Sequence, residues 1–248
     1  METEANVELA QQDAVKWLSG LATESLDLLV TDPPYESLEK HRAVGTTTRL
    51  KVSAGSSNPW FTVFPNARFA ELFGQVHRVL KRNSHFYLMC DQETAFIAKP
   101  IAEAAGFKFW KPLIWDKCTI GMGYHYRARY EFVLFFEKGK RKLNDLGIAD
   151  VITVPRVRGG YPAEKPAALS ETLILQSSVA GDLVADPFMG SGSVGVAALK
   201  LGRRFLGNDV SDSALAYARN RFSQNGGHEG VLVAADAPGQ RRLSLVLP

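Results

Sequence analysis

Two stretches of the chain carry residue types that could do chemistry. The first is Leu28-Leu29-Val30-Thr31-Asp32-Pro33-Pro34-Tyr35. An apolar run ends in a carboxylate, two prolines and an aromatic ring. Each proline fixes its own φ and has no N–H, and each pushes the residue before it towards extended backbone. The tip therefore offers carbonyl oxygens and a carboxylate but almost no donors. That inventory suits an exocyclic amine, a poor nucleophile because its lone pair is delocalised into the ring. Acceptors on both N–H bonds localise the lone pair and stabilise the positive charge that grows as nitrogen attacks a carbon electrophile. In this reading Asp32 accepts one N–H, the Pro33 carbonyl accepts the other, and Tyr35 stacks on the flat face of the base. Asp-Pro-Pro alone would also serve as a proline turn after a core strand.

The second stretch runs from Asp182 through Asp186-Pro187-Phe188-Met189-Gly190-Ser191-Gly192 to Ser193. It reads as strand, glycine-rich turn and helix. Such glycines let backbone approach a ligand closely at a helix N-terminus. A helix of 194–201 and a strand of 203–207 follow, and then Asp209. A carboxylate about 20 residues after a glycine turn is where a ribose hydroxyl pair is usually held. The glycines alone would also suit a dinucleotide, but the Asp-Pro-Pro-Tyr tip does not fit hydride transfer.

Together the two stretches resemble the DNA amino-methyltransferases that use S-adenosylmethionine. The family's catalytic motif is Asp-Pro-Pro-Tyr, here Asp32 to Tyr35, and its cofactor motif is Asp-Pro-Phe-x-Gly-Ser-Gly, here Asp186 to Gly192. The catalytic motif comes first, the order of the family's β group, and the resemblance covers most of residues 6–225. It implies an α/β fold with a Rossmann-like, doubly wound, mostly parallel sheet in circularly permuted motif order, and one methyltransferase domain over residues 1–248. It implies methyl transfer to the N6 amine of adenine in double-stranded DNA, with the base flipped out of the stack. The cofactor would be held by Asp186, Pro187, Phe188, Gly190, Ser191, Gly192 and Asp209. Tyr161-Pro162-Ala163-Glu164-Lys165-Pro166 resembles the family's His-Pro-x-x-Lys-Pro stretch with Tyr for His, which puts Lys165 at the methionine end of the cofactor. Asp13 stands where relatives carry a Gly-Asp pair beside the cofactor adenine. Gln12 replaces that glycine, and a plain helix N-cap is the alternative. Glu36 stands where the family often has Asn.

The choice of base is less constrained. In the resemblance, Asp at the first motif position leans to adenine and Ser to cytosine N4, although both amines make the same physical demand. Cytosine N4 and an amine in RNA or a protein side chain stay open as substrates. A silent DNA-binding module and a nucleotide-dependent oxidoreductase are the readings from other classes.

These tips need elements to position them. Apolar or helical spacing predicts strands at 7–10, 26–30, 86–89, 107–115, 131–136 and 231–235 and helices at 13–18, 67–80, 94–105, 169–178 and 211–222. Pro112 predicts a bulge or an exposed edge in its strand. Three segments are predicted to meet DNA. The 36–66 loop carries Lys40, Arg42, Arg49 and Lys51, and a loop this long is usually functional or disordered. The 119–130 segment carries Tyr124, His125, Arg127 and Arg129. Rings beside arginines suit one unstacked nucleotide, and the resemblance puts the flipped-base pocket here. A short specificity region at about 138–160 carries Arg156 and Arg158. Its opening run, Lys138 to Lys142, reads as a solvated turn.

With 248 residues, 46% apolar and 22% charged, the chain can bury a well-formed core. The net charge of +3 permits nucleic-acid binding without demanding it. Cys90 and Cys118 lie in apolar stretches and read as reduced core residues of a cytoplasmic protein. Neither a signal peptide nor an 18-residue apolar run appears, so no membrane is expected. No histidine or cysteine stands at metal-ligand spacing from His125, so no metal is expected. Relatives of this kind are often dimers, and so short a specificity region leaves room for a homodimer to share the DNA.

Overall fold

The computed structural model describes residues 5–37, 62–121 and 125–230. Lys40, Arg42, Arg49, Lys51, Tyr124 and the strand predicted at 231–235 lie outside them. The described strands are β1 (Val7–Ala10), β2 (Leu26–Thr31), β3 (Leu80–Cys90), β4 (Lys108–Asp116), β5 (Tyr130–Lys138), β6 (Val151–Thr153), β7 (Leu183–Asp186) and β8 (Arg204–Asn208). The helices are α1 (Ala14–Gly20), α2 (Phe69–Val79), α3 (Gln92–Ala104), α4 (Ala167–Ser177), α5 (Ser193–Lys200) and α6 (Asp212–Ser223).

The strands form one sheet in the order β1-β8-β7-β2-β3-β5-β4-β6. The first five are mutually parallel, β5 runs antiparallel to β3 and β4, and β6 is parallel to β4. The tips of β1, β8, β7, β2 and β3 therefore share one edge with the β4–β5 turn and the end of β6. That edge is where an open α/β sheet takes its ligand.

Helices cover both faces. On one, Trp17 and Leu18 of α1, Phe69, Phe73 and Val76 of α2 and Ala98 and Ala102 of α3 pack with Leu29 and Phe86. On the other, Leu173 of α4, Val196 of α5 and Phe222 of α6 pack with Leu28, Val30 and Val184. Burial on both faces explains why β2 reads as a near-continuous apolar run rather than an alternating one. The apolar stripe of α2 is buried as its spacing predicts, and the Phe69 and Phe73 rings stack at 5.2 Å.

Several boundaries and surfaces differ from the sequence reading. β3 starts at Leu80 rather than 86, because parallel pairing of Leu26 with Leu80 carries the polar Lys81-Arg82-Asn83 into the strand across an irregular register. Pro112 sits just beyond a register shift at Phe109/Lys111, before pairing with β6 begins at Ile114. The residue without an N–H thus stands where no strand asks for one. Cys90 is buried, but Cys118 is exposed with a φ of 58° in the turn after β4, which corrects its assignment to the core. Lys138 is also no solvated residue: it is buried, and its ammonium donates to the carbonyls of His77 and Leu80. Among the described residues, no helix is long and apolar enough to cross a membrane.

Phe86 sits under α2 with rings on several sides, one of them Phe136 at 5.4 Å. Phe86→Ala is expected to cost about 3–5 kcal/mol, read as a lower denaturation midpoint at unchanged slope. A loss under about 1 kcal/mol would contradict this packing.

Candidate active site

The tip of β2 and the glycine turn meet through one carboxylate. Thr31, the last residue of β2, donates its hydroxyl to Asp186 Oδ1 at 2.7 Å, and the Phe188 N–H donates to the same oxygen at 3.0 Å. Both side chains are buried. Burial pushes the Asp186 carboxyl up to about 7 in spite of these hydrogen bonds, and the nearby Asp32 and Asp209 push the same way.

The turn needs its glycines for different reasons. Gly190 and Gly192 both have left-handed φ, at 46° and 75°. A Cβ at Gly192 would meet the Phe222 ring at 2.7 Å, so this glycine packs the turn onto α6. A Cβ at Gly190 would stand in open space, with only Tyr161 within 4 Å. Asp209, just after β8, accepts from the Gly190 N–H at 2.9 Å and the Ser211 N–H at 2.9 Å, and burial raises its pKa. Asn208, which sequence reasoning missed, is fully buried. It bonds the Gln12 backbone in both directions and donates to the Pro187 carbonyl, stitching the β1–α1 loop to the turn. Asp13 does cap α1, and Arg68 grips its carboxylate at 2.7 and 2.9 Å. That guanidinium holds the Asp13 carboxyl below its ordinary value.

At the tip of β2, Asp32 meets Lys165. Lys165 Nζ donates to Asp32 Oδ2 and lies 3.3 Å from Glu131 Oε2, on the second residue of β5. Lys117 approaches the other Glu131 oxygen at 3.2 Å. Burial works against the Lys165 ammonium, but the two carboxylates prevail and hold its pKa well above the ordinary value. Burial raises the Asp32 carboxyl, Lys165 opposes that, and Glu131 adds to it. Asp32 Oδ1 is buried and accepts no hydrogen bond among the described residues. The resemblance puts Lys165 at the cofactor; its ammonium is on the Asp32 carboxylate. Glu131 was missed, although an acid heading an otherwise apolar strand is a visible signal.

Neighbours brace the tip. The Pro34 carbonyl accepts from the Phe64 N–H at 2.7 Å. Glu36 accepts from the backbone and side chain of Asn66 at 2.9 and 3.1 Å, which gives this departure from the family pattern a structural role. Ser37 bonds Asp91, the N-cap of α3. Tyr35 is buried, and burial raises its phenol well above the ordinary value.

A cleft of about 1220 Å³ opens over this edge. Asp13, Asp32, Pro33, Pro34, Tyr35, Lys165 and Asp209 line it, with the Asp186–Ser191 turn. Gly192 lies behind the turn. Arg156 and Arg158 are exposed on the cleft rim. His125, Arg127 and Arg129 are exposed on the β4–β5 turn and do not line the cleft. Arg129 is held in a two-pronged pair with Asp116 at 2.7 and 2.8 Å. No group of three or more potential metal ligands occurs among the described residues.

Comparison with known proteins decides the family. A family model described as DNA methylase, that of the N6 and N4 methyltransferases, matches residues 26–153 and 144–220. The chain belongs to this N6/N4 DNA methylase family. It is 28% identical over 237 residues to the type II methyltransferase M2.DpnII of Streptococcus pneumoniae, covering 86% of this chain and 88% of that protein. It is 26% identical over 250 residues to the DNA adenine methyltransferase YhdJ of Escherichia coli, covering 85% and 80%. Among solved structures, the Thermus thermophilus protein TTHA0409, described as a putative DNA modification methylase and complexed with S-adenosyl-L-methionine, matches with a TM-score of 0.66 at 20% identity, covering 91% and 99%. The PvuII cytosine-N4-specific DNA methyltransferase matches with a TM-score of 0.69 at 17% identity, covering 89% and 87%. These two likenesses bear out the expected methyltransferase fold.

Members of this N6/N4 methylase family depend on S-adenosylmethionine. The residues here fit such a group: the open space over Gly190 leaves room for close approach to the backbone, and a carboxylate stands at the end of β8. Gly190, Ser191, Phe188 and Asp209 would hold it.

Asp186 supplies a pH test. Its folded value of about 7 lies above the ordinary 3.8. Its contribution to stability is therefore full below about 3.8 and is lost as pH rises through about 7. Asp186→Asn keeps an acceptor for Thr31 and Phe188 but cannot ionise. Relative to the parent protein, the cofactor-free variant should gain stability steadily from about pH 4 to 8, by up to about 4 kcal/mol. A constant difference in unfolding midpoint across that range would contradict the assignment.

Proposed function

We propose that this DNA methylase transfers a methyl group to the N6 amine of adenine in double-stranded DNA, with the base flipped into the cleft. The observation that carries the reading is Asp32 Oδ1, a buried acceptor with no partner among the described residues, at the end of a proline-stiffened strand. A flipped adenine brings an amine with two N–H donors. Asp32 Oδ1 accepts one, the Pro33 carbonyl accepts the other, and Tyr35 stacks on the ring. S-adenosylmethionine supplies the electrophilic sulfonium methyl group. As the nitrogen–carbon bond forms, the carbon–sulfur bond breaks with its electron pair left on sulfur. The methylated nitrogen then passes one proton to water in the cleft, and Asp32 stabilises the positive charge until that proton has gone. Orientation by the stiff tip contributes much of the rate. The motif order supports placement in the family's β group.

Adenine is supported by the first motif residue, Asp32, and by the likeness to the DNA adenine methyltransferase YhdJ of Escherichia coli. Cytosine N4 is the second reading, favoured by the PvuII likeness and by the equal chemistry of the two amines. Arg156 and Arg158 on the cleft rim would contact phosphates, as would the basic residues of the 36–66 loop. A role beside a restriction enzyme, and action as a homodimer, are further parts of the proposal.

Labelled methyl transfer to unmethylated genomic DNA, followed by nucleoside analysis, tests the reading. N6-methyladenine is the expected product. N4-methylcytosine would overturn the base, and absence of label in DNA would overturn the reaction. Asp32→Ala should abolish transfer while leaving affinity for S-adenosylhomocysteine within about threefold; transfer at the parent rate would sink the mechanism. Arg158→Ala should lower the dependence of log affinity for DNA on log salt by about one. An unchanged slope would remove Arg158 from the DNA contact.

A further inference from the structure

The site holds a charged group that the transfer chemistry above does not use. Lys165 is an ammonium whose side chain is only 12% exposed, between Asp32 and Glu131 at 25% and 22%. Stability gives little reason for this arrangement. Buried ion pairs are often no better than well-packed apolar residues of the same volume, because desolvation offsets their attraction. Two carboxylates share this one buried ammonium beside a cleft, and Lys117 neutralises Glu131 from its far side.

The geometry suggests what the cluster does. Lys165 engages Oδ2 of Asp32 and leaves Oδ1 without a partner among the described residues. A carboxylate has two equivalent oxygens and turns about its last torsion. A cation fixed on one oxygen stops that rotation and designates the other. Lys165 is itself fixed. Its neighbour Glu164 is buried against Arg221 at 3.1 Å, and Arg221 also donates to the Ser191 carbonyl at 2.9 Å behind the glycine turn. Glu164 further accepts from the Tyr161 N–H at 3.0 Å. The segment bearing Lys165 is thus clamped to α6 and to the turn that would hold the cofactor. From the other side, Glu131 pulls on the same ammonium while Lys117 balances it.

We propose that Lys165 is a positioning residue for the methyl transfer: it fixes Asp32 Oδ2 so that Oδ1 alone serves the substrate amine, and Glu131 sets how negative that oxygen stays. This rests on the reading of Asp32 as the amine acceptor. The charges facing Asp32 come from every neighbouring element. Lys165 lies on the 161–166 segment, Glu131 on β5 with Lys117 behind it, and Asp186 at the tip of β7 with Asp209 beyond it. Tyr35 and Cys90 face it as neutral groups, with Asp91 beyond them. Only two of these act on Asp32 in opposite senses at close range. Removing Lys165 makes the Asp32 anion harder to form, and removing the Glu131 charge makes it easier.

The test measures single-turnover transfer into unmethylated genomic DNA against pH, between about pH 5 and 9, for the parent chain, Lys165→Met, Lys165→Arg and Glu131→Gln. Lys165→Met is expected to lose about 100-fold in kcat, with KM for DNA and affinity for S-adenosylhomocysteine changed less than about threefold. Its acid limb should move to higher pH, that of Glu131→Gln should move to lower pH, and Lys165→Arg should recover part of the rate. Acid limbs that stay in place, or that move in the same direction, would overturn the proposal. So would a Lys165→Met variant that loses affinity for S-adenosylhomocysteine as much as rate, since that marks a cofactor ligand. Should Lys165→Met fail to fold, Glu131→Gln decides: a limb moved down supports the proposal, and an unmoved limb defeats it. A parent chain that puts no methyl into DNA would defeat the proposed function instead, which separates the two failures.

Discussion

One buried ammonium sets the terms for the rest of the site. Lys165 sits where the end of β2, the start of β5 and the 161–166 segment converge, and it is the close cation on Asp32 among the described residues. Without it, Asp32 and Glu131 would be two desolvated negative charges side by side, and at least one would take up a proton. With it, both can stay charged in a partly desolvated place at the wall of the cleft. A charged acceptor in such a place can hold an amine far more firmly than the same group in bulk water. The two prolines after Asp32 and the Phe64–Pro34 hydrogen bond then keep that acceptor from drifting.

The sheet supplies the framework that makes this cluster useful. Because β2 and β7 are parallel neighbours, their tips emerge side by side although far apart in sequence. The shared Asp186 oxygen turns adjacency into a fixed distance, since Thr31 and Phe188 compete for no other partner there. Asn208 does the same between the β1–α1 loop and the turn, and the Glu164–Arg221 pair between the 161–166 segment and α6. Each link is a polar contact between elements that the apolar core alone would leave free to slide. A site that must align an amine with a methyl group needs such links, because small misplacements are costly in rate.

Much of this was legible in the sequence, and the misses have physical reasons. The tips of β2 and β7 were readable because an apolar run ends abruptly in Asp, Pro or Gly, and those residues have few other places to be. Helix α2 was readable because its stripe faces one core. Strand order was not: that antiparallel β5 lies between β3 and β4 depends on which surfaces fit, and apolar runs do not encode it. The polar start of β3 was missed because its pairing with β2 is set by the fold and not by its own residues. Glu131 and Lys138 were hidden for one reason. A buried charge is recognised by its partner, and each partner lies far along the chain. Lys165 was found through its motif, while its contact with Asp32 was visible only in three dimensions.

The measurement that bears most directly on this account is a crystal structure of the protein with a duplex carrying its methylation site and S-adenosylhomocysteine. The account predicts an adenine outside the stack, its N6 within about 3 Å of Asp32 Oδ1, with Lys165 still on Oδ2. A target amine bound by other groups, or Lys165 turned away from Asp32 onto the cofactor, would contradict it.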